Sequence, residues 1–112
     1  MRLFLASLLG FCAVSVHADD WQRLEGAAIS AALTGRTVEY SNGATQRFSE
    51  TGFTEYDHGE PSFGSWAVRG DRYCSVWPPS DVWACFDVDV AGERLRFMGD
   101  HEDVTEGVFI AQ

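Results

Sequence analysis

The densest group of polar side chains is an acidic segment near the C-terminus. Asp100, Glu102 and Asp103 surround His101. Carboxylate oxygens are the ligands that hard divalent cations prefer, so these three acids form a candidate metal site. The segment lacks the alternating spacing with which a calcium loop wraps its ion. A solvated turn is therefore the favoured interpretation.

A second group with possible chemistry is the segment 57–60, where His58 stands among carboxylates. A carboxylate can orient a histidine general base, so His58 or His101 could serve a small hydrolase. Two histidines are too few for a zinc site. The chain also has no Gly-x-Ser-x-Gly elbow and no dinucleotide fingerprint. We expect no cofactor, and the sequence favours a protein without catalysis.

Aromatic residues form a candidate binding surface. Trp77, Pro78 and Pro79 make a rigid, apolar loop, and Trp83 is predicted on the charged face of a strand. An exposed aromatic side chain beside a rigid loop can anchor a ligand or a protein partner. The alternative is that Trp83 only covers a disulfide, or that a helix docks over it.

The charge balance restricts the partners. The chain has 17 acidic residues and 8 basic residues, and its net charge is −9. All of the basic residues are arginine. Nucleic-acid binding depends on cationic contacts, so a nucleic-acid partner is excluded. The absence of lysine excludes a P-loop lysine and a lysine Schiff base. We expect a small ligand, a divalent cation or a basic protein as partner.

The N-terminus has the pattern of an export signal. Arg2 precedes a largely apolar segment that ends in Val16-His17-Ala18. This predicts a signal peptide over residues 1–18, cleaved after Ala18. The apolar segment is shorter than the roughly 20 residues of a membrane span. We therefore expect a periplasmic or secreted bacterial protein, comprising the single domain 19–112, with no membrane span and a net charge of −10.

The rest of the chain alternates short β-type segments with turn signals. Residues 26–33 predict one short helix, and segments of strand character follow from residue 36 onward. The predicted fold class is mainly β. It is a small antiparallel meander of about seven or eight strands, closed as an up-and-down barrel or folded as a sandwich.

The two cysteines of the domain can be registered by arithmetic. A four-residue loop at 78–81 places Trp77 opposite Val82, both in the core, and places Cys74 opposite Cys85. Directly opposed residues of an antiparallel pair are close enough for a disulfide. Export into an oxidising compartment predicts the same bond.

Neighbouring hairpins give further registers. A turn at 70–71 pairs Val68 with Tyr73, and a turn at 91–92 pairs Val88 with Leu95. All these registers put apolar residues on one face and charges on the other, which supports the barrel. Most remaining acids lie at 57–60 and 100–106, which we expect at two separate ends of the barrel.

Several of these residues resemble a pattern of small exported proteins of Gram-negative bacteria. The pattern comprises Leu33-Thr34-Gly35-Arg36-Thr37, then Gly64-x-Trp66-x-Val68-x-Gly70-Asp71-x-Tyr73-Cys74, and Cys85. The resemblance covers most of residues 24–110. It implies a helix followed by a disulfide-pinned β-barrel domain of unknown function, without catalytic residues. Chains of this type can carry the name dihydrodipicolinate reductase, which the missing nucleotide fingerprint does not support. The chain is more loosely similar to periplasmic lysozyme-inhibitor barrels.

Three functions follow as hypotheses. The first is an exported binding module for a small ligand or a basic protein. The second is a small hydrolase that uses an acid and a histidine, and the third is a structural or envelope-stress protein. A hollow barrel would favour a ligand carrier of the lipocalin kind.

Overall fold

The computed structural model describes residues 20–111, and most of them lie in antiparallel strands. The predicted signal peptide and its cleavage after Ala18 lie outside these residues. The elements in chain order are β1 (Gln22–Leu24), α1 (Ala27–Leu33), β2 (Thr37–Tyr40), β3 (Thr45–Phe48), β4 (Phe53–Asp57), β5 (Pro61–Arg69), β6 (Arg72–Val76), β7 (Ala84–Ala91), β8 (Arg94–Met98) and β9 (Val104–Ile110).

Strands β2 to β9 form a closed barrel with up-and-down connectivity. Each strand pairs with the next in sequence, and β9 pairs back with β2, with Phe109 opposite Val38. The predicted mainly β class is confirmed, and the closure favours the barrel over the sandwich. Because the barrel is closed, none of its eight strands is left as an open edge.

The first strand is an addition that the sequence did not predict. β1 pairs with β7, where Arg23 lies opposite Asp89. On the same side of β7, β6 pairs only with the segment from Ala84 to Phe86. The remainder of β7 would lack a neighbour there, and β1 supplies it.

One end of the barrel is filled by side chains. Ile29 and Leu33 of α1 are fully buried in the same core as Phe48. The Phe48 ring lies 5.7 Å from the ring of Trp66 and 5.7 Å from that of Tyr73, both edge-on. The helix therefore closes this end, and aromatic side chains fill the space below it.

The predicted disulfide is confirmed. Cys74 lies opposite Cys85, with a Cα–Cα distance of 4.0 Å. The predicted four-residue loop is wrong, because β6 ends at Val76 and β7 begins at Ala84. Proline cannot donate to a strand ladder, and two prolines follow Trp77, so pairing stops earlier. Val82, predicted in the core, is 72% exposed.

The hairpin turns were predicted with mixed success. The turn at 70–71 does pair Val68 with Tyr73. The next hairpin differs, since Ala91 pairs with Arg94 and Val88 faces Phe97 rather than Leu95. Its turn is 92–93, in which Gly92 takes the left-handed first position with φ 60°. The shift by two residues keeps every side chain on its predicted face.

Candidate functional site

The two ends of the barrel have different loops, because antiparallel strands send successive connections to alternate ends. The loops 49–52, 70–71 and 92–93 lie at the end that α1 closes. The loops 41–44, 58–60, 77–83 and 99–103 lie at the other end, which we call the open end.

A cavity of about 1070 Å³ enters the barrel at the open end, and we call it the cup. Its size is at the upper limit of the range found for small-molecule sites. The residues that line it are Tyr40, Ser41, Asn42, Gln46, Tyr56, Pro61, Ser62, Phe63, Tyr73, Ser75, Trp77, Pro78, Phe86, Phe97, Val104, Thr105 and Glu106. The barrel is thus packed at the helix end and has a wide, open recess at the other.

A buried amide organises the polar part of the cup. Gln46 is 5% exposed, and its Oε1 accepts a hydrogen bond from the Tyr40 hydroxyl. Its Nε2 donates to the Thr54 hydroxyl at 2.9 Å and to the Tyr73 hydroxyl at 3.0 Å. Thr54 donates in turn to the backbone carbonyl of Arg47. Both amide hydrogens and the carbonyl are therefore satisfied, which fixes the side chain.

Sequence reasoning missed Gln46, although a signal was present. The segment Ala44-Thr45-Gln46-Arg47-Phe48 alternates, so Gln46 shares a face with Ala44 and Phe48. Both of those residues are fully buried. A polar residue on an apolar face of a strand requires internal partners, and these partners define a site.

The two tyrosines bonded to Gln46 remain neutral over a wide pH range. Burial raises the pKa of Tyr40 well above its ordinary value, and the neighbouring phenols of Tyr73 and Tyr56 add to the shift. Burial also raises the pKa of Tyr73, although hydrogen bonds with Ser75 and Gln46 oppose it. These phenols act as hydrogen-bonding groups without charge.

Aromatic rings make up much of the cup wall. The Tyr56 ring centroid is 6.1 Å from that of Tyr40 and 6.3 Å from that of Trp77, at interplanar angles of 34° and 78°. A second group lies deeper, where Phe97 stacks on Tyr73 at 4.5 Å and approaches Phe86 at 6.2 Å. Such rings offer both apolar area and π-faces to a ligand.

The position of Trp77 depends on a glycine. A Cβ placed on Gly64 would lie 2.5 Å from the Val76 carbonyl oxygen and 2.8 Å from the Trp77 ring. Only glycine lets the indole lie against β5 in this way. The Trp77 Nε1 then donates to the Ser75 hydroxyl at 3.2 Å. The indole is therefore fixed beside the cup.

Charges are distributed unequally along the barrel. The open-end loops carry the five acids Glu60, Asp81, Asp100, Glu102 and Asp103, and no arginine. The segments 57–60 and 100–106 were expected at separate ends of the barrel. Both lie at the open end, because each contains the loop that follows a strand running toward that end. One end of the molecule is therefore strongly acidic.

The residues of the predicted binding surface lie in two different places in the structure. Trp77 and Pro78 line the cup, and Pro79 is exposed in the same loop. Trp83 does not line the cup, and the Arg69 guanidinium lies 4.1 Å from its ring centroid. Trp83 thus packs against an arginine on the outer surface.

The candidate metal ligands Asp100, Glu102 and Asp103 do not form a ligand cluster. Asp100 lies 3.7 Å from an Arg72 nitrogen, and no group of three or more potential metal ligands occurs between residues 20 and 111. His58 and His101 are exposed, and neither lines the cup. The acidic segment is a turn in which His101 and Glu102 have positive φ angles.

Asp89 is the most buried acid among residues 20–111, and it is held by two arginines. Asp89 is 3% exposed and accepts hydrogen bonds from Arg23 Nε at 2.6 Å and Arg96 Nε at 2.9 Å. Burial would raise the pKa of Asp89, but the two arginines outweigh burial and lower it. Asp89 therefore joins Arg23 of β1 to Arg96 of β8 and binds β1 to the barrel. Beside it, Arg72 lies 3.4 Å from Asp87.

No protein-family model, curated protein or solved structure matches this chain. Across the part of the chain that the structure describes, no helix has the length and apolar character needed to cross a bilayer.

Proposed function

We propose that this protein is an exported, non-catalytic binding protein that holds a small organic ligand in the cup. The observation that carries the proposal is the half-filled barrel, with α1 closing one end and a cavity of about 1070 Å³ at the other. A barrel of eight strands is wide enough either to be filled by side chains or to hold one small ligand. Here side chains fill one end of the barrel, and the other end leaves room for a ligand.

The lining indicates the general character of the ligand. Rings of Tyr56 and Trp77 supply apolar area, while the hydroxyl oxygens of Ser75 and Tyr40 keep a free acceptor position. Mostly apolar walls with a few fixed polar groups are characteristic of small-molecule sites. We therefore expect a ligand with an apolar body and at least one polar group.

The competing hypotheses have weaker support. A hydrolase would require an acid and a histidine close together beside the substrate, whereas His58 and His101 are exposed outside the cup.

The disulfide Cys74–Cys85 is consistent with an oxidising, exported location. The basic protein partner and the resemblance to small exported proteins remain predictions.

A binding experiment tests the proposal. The neutral fluorescent probe N-phenyl-1-naphthylamine should bind in a 1:1 ratio with a blue-shifted emission, because its rings would leave water. Thr105→Trp adds bulk at a lining position and should abolish this binding. Thr51→Trp, at an exposed position of the closed end, is the matched control. Binding that Thr105→Trp leaves unchanged, or no 1:1 binding at all, would refute the proposal.

Export has its own test. The chain produced in a Gram-negative host should be recovered from the periplasm beginning at Asp19, as determined by intact mass. Recovery of the uncleaved chain from the cytoplasm would contradict the exported location without affecting the cup.

A further inference from the structure

We propose that the cup selects organic cations of low charge density, such as a quaternary ammonium group attached to an apolar body. This inference rests on the proposed ligand-binding function and specifies the ligand class. It follows from three properties of the open end: the chemistry of the lining, the aromatic wall and the distribution of charge around the entrance.

The lining disfavours anions and hard metal ions. Among the residues that line the cup, Glu106 is the only carboxylate, and there is no arginine or histidine. Glu106 itself is engaged, since its Oε2 lies 3.1 Å from an Arg94 nitrogen. An anion would find no positive partner there. A small metal ion would lose its water without gaining the several oxygen ligands that it requires.

The aromatic wall supplies what a large, weakly hydrated cation requires. Tyr40, Tyr56 and Trp77 adjoin one another, with the two neighbouring pairs of centroids 6.1 and 6.3 Å apart. The planes of these rings are inclined, so the wall is angular rather than flat. Quaternary ammonium groups bind to aromatic faces through the ring quadrupole, and tryptophan and tyrosine bind them best.

The charge around the entrance favours the same ligand. The open-end loops contain Glu60, Asp81, Asp100, Glu102 and Asp103 and no arginine, and Arg72 of β6 pairs with one of these acids, Asp100, at 3.7 Å. Carboxylates around a low-dielectric cavity concentrate the electric field and raise the local concentration of cations. A carrier of neutral ligands would gain nothing from this arrangement, and a carrier of anions would be impaired by it.

The contribution of charge can be isolated with an isosteric pair of probes. 4-(Trimethylammonio)phenol and 4-tert-butylphenol have nearly the same shape, and only the first has a positive charge. Binding of each is measured by isothermal titration calorimetry with the full mature chain at about pH 6, where both phenols are protonated. We expect the cation to bind about tenfold more tightly at low salt.

Variants separate the contribution of the aromatic wall to the cation preference from that of the acidic loops at the entrance. Trp77→Leu should remove most of the preference for the cation, whereas Tyr56→Phe, which retains a ring, should preserve it. Glu60→Gln combined with Asp103→Asn should reduce the preference and its dependence on salt. Glu50→Gln, on an exposed residue of the closed end, is the control and should leave both unchanged.

The outcomes distinguish this inference from the function on which it rests. Equal or tighter binding of the neutral probe overturns the cation preference and leaves the cup as a ligand site. A preference that Trp77→Leu leaves intact, with the fold verified by circular dichroism, also overturns it. If neither phenol binds, the cation preference is overturned, and if N-phenyl-1-naphthylamine does not bind either, the proposed function fails with it.

Discussion

Gln46 donates a hydrogen bond across the barrel interior to Tyr73, with 3.0 Å between Nε2 and the hydroxyl oxygen. The two residues lie on β3 and β6, which are not neighbours in the sheet. The bond therefore joins opposite parts of the wall at the base of the cup. Strand pairing alone does not hold these two parts together at this level.

Replacement of this amide should be costly. Gln46→Leu leaves the hydroxyls of Tyr40 and Tyr73 without their partner, so we expect the free energy of unfolding to fall by about 1–3 kcal/mol. Urea denaturation followed by circular dichroism measures the change. Gln22→Leu makes the same substitution at an exposed strand position. Similar losses in both variants would show that the buried hydrogen bonds contribute little.

The ion pairs of Asp89 should make the free energy of unfolding depend on pH. Its pKa is lower in the folded state than in the unfolded chain, so ionised Asp89 stabilises the fold above the unfolded pKa, near 4. That contribution is lost as the pH falls through the folded pKa. Asp89→Asn should lower the free energy of unfolding by about 1.5–3 kcal/mol at neutral pH.

The difference between wild type and Asp89→Asn should decrease progressively as the pH is lowered from neutral to below about 4, because the folded-state carboxylate is then increasingly protonated. Urea denaturation at neutral pH and at acidic pH values below about 4 tests this. Glu93→Gln, which removes a largely exposed pair with Arg36, should have little effect at either pH. A difference for Asp89→Asn that does not change with pH would contradict the role of its charge.

The disulfide should stabilise the β6–β7 hairpin and with it the wall of the cup. It closes a loop with a sequence separation of 11 residues. The combined change Cys74→Ala and Cys85→Ala should lower the free energy of unfolding by about 2–3 kcal/mol. Guanidinium denaturation with and without a reductant provides the measurement, and the reductant should have no effect on the double variant.

Gly64 should control the position of Trp77. The methyl group of Gly64→Ala would overlap the indole and the Val76 carbonyl, so we expect a loss of about 1–3 kcal/mol in the free energy of unfolding. The tryptophan emission should also change, because the indole must move. Ser65→Ala alters the adjacent, exposed position of the same strand and should change neither quantity.

The sequence predicted the β5–β6 hairpin and the cystine because their signals are local. Gly70 identifies the β5–β6 turn. Cys74 was placed opposite Cys85 by a loop at 78–81, and the longer loop 77–83 keeps the same β6–β7 pairing. The β7–β8 register was wrong because turns at 91–92 and 92–93 give the same pattern of faces. Only the backbone at Gly92 distinguishes them.

The cup could not be predicted from the same signals. Whether a barrel interior is filled depends on which end a helix closes, and on the summed volume of side chains from all eight strands. Trp77 and Trp83 were grouped because they are close in sequence, but Trp77 lines the cup and Trp83 packs against Arg69 outside it. The loop of seven residues between β6 and β7 separates them. The hydrogen-bond partners of Gln46 come from β2, β4 and β6.

The β1 strand has a consequence for the order in which the chain assembles. Arg23 meets Asp89 only across 66 positions of sequence, so the earliest described strand cannot dock until β7 has been made. The pairing of β2 with β9 likewise waits for the last strand. Such distant contacts slow folding because they carry a large loop-closure entropy. A chain truncated before β9 would therefore keep its central hairpins but leave the barrel unsealed.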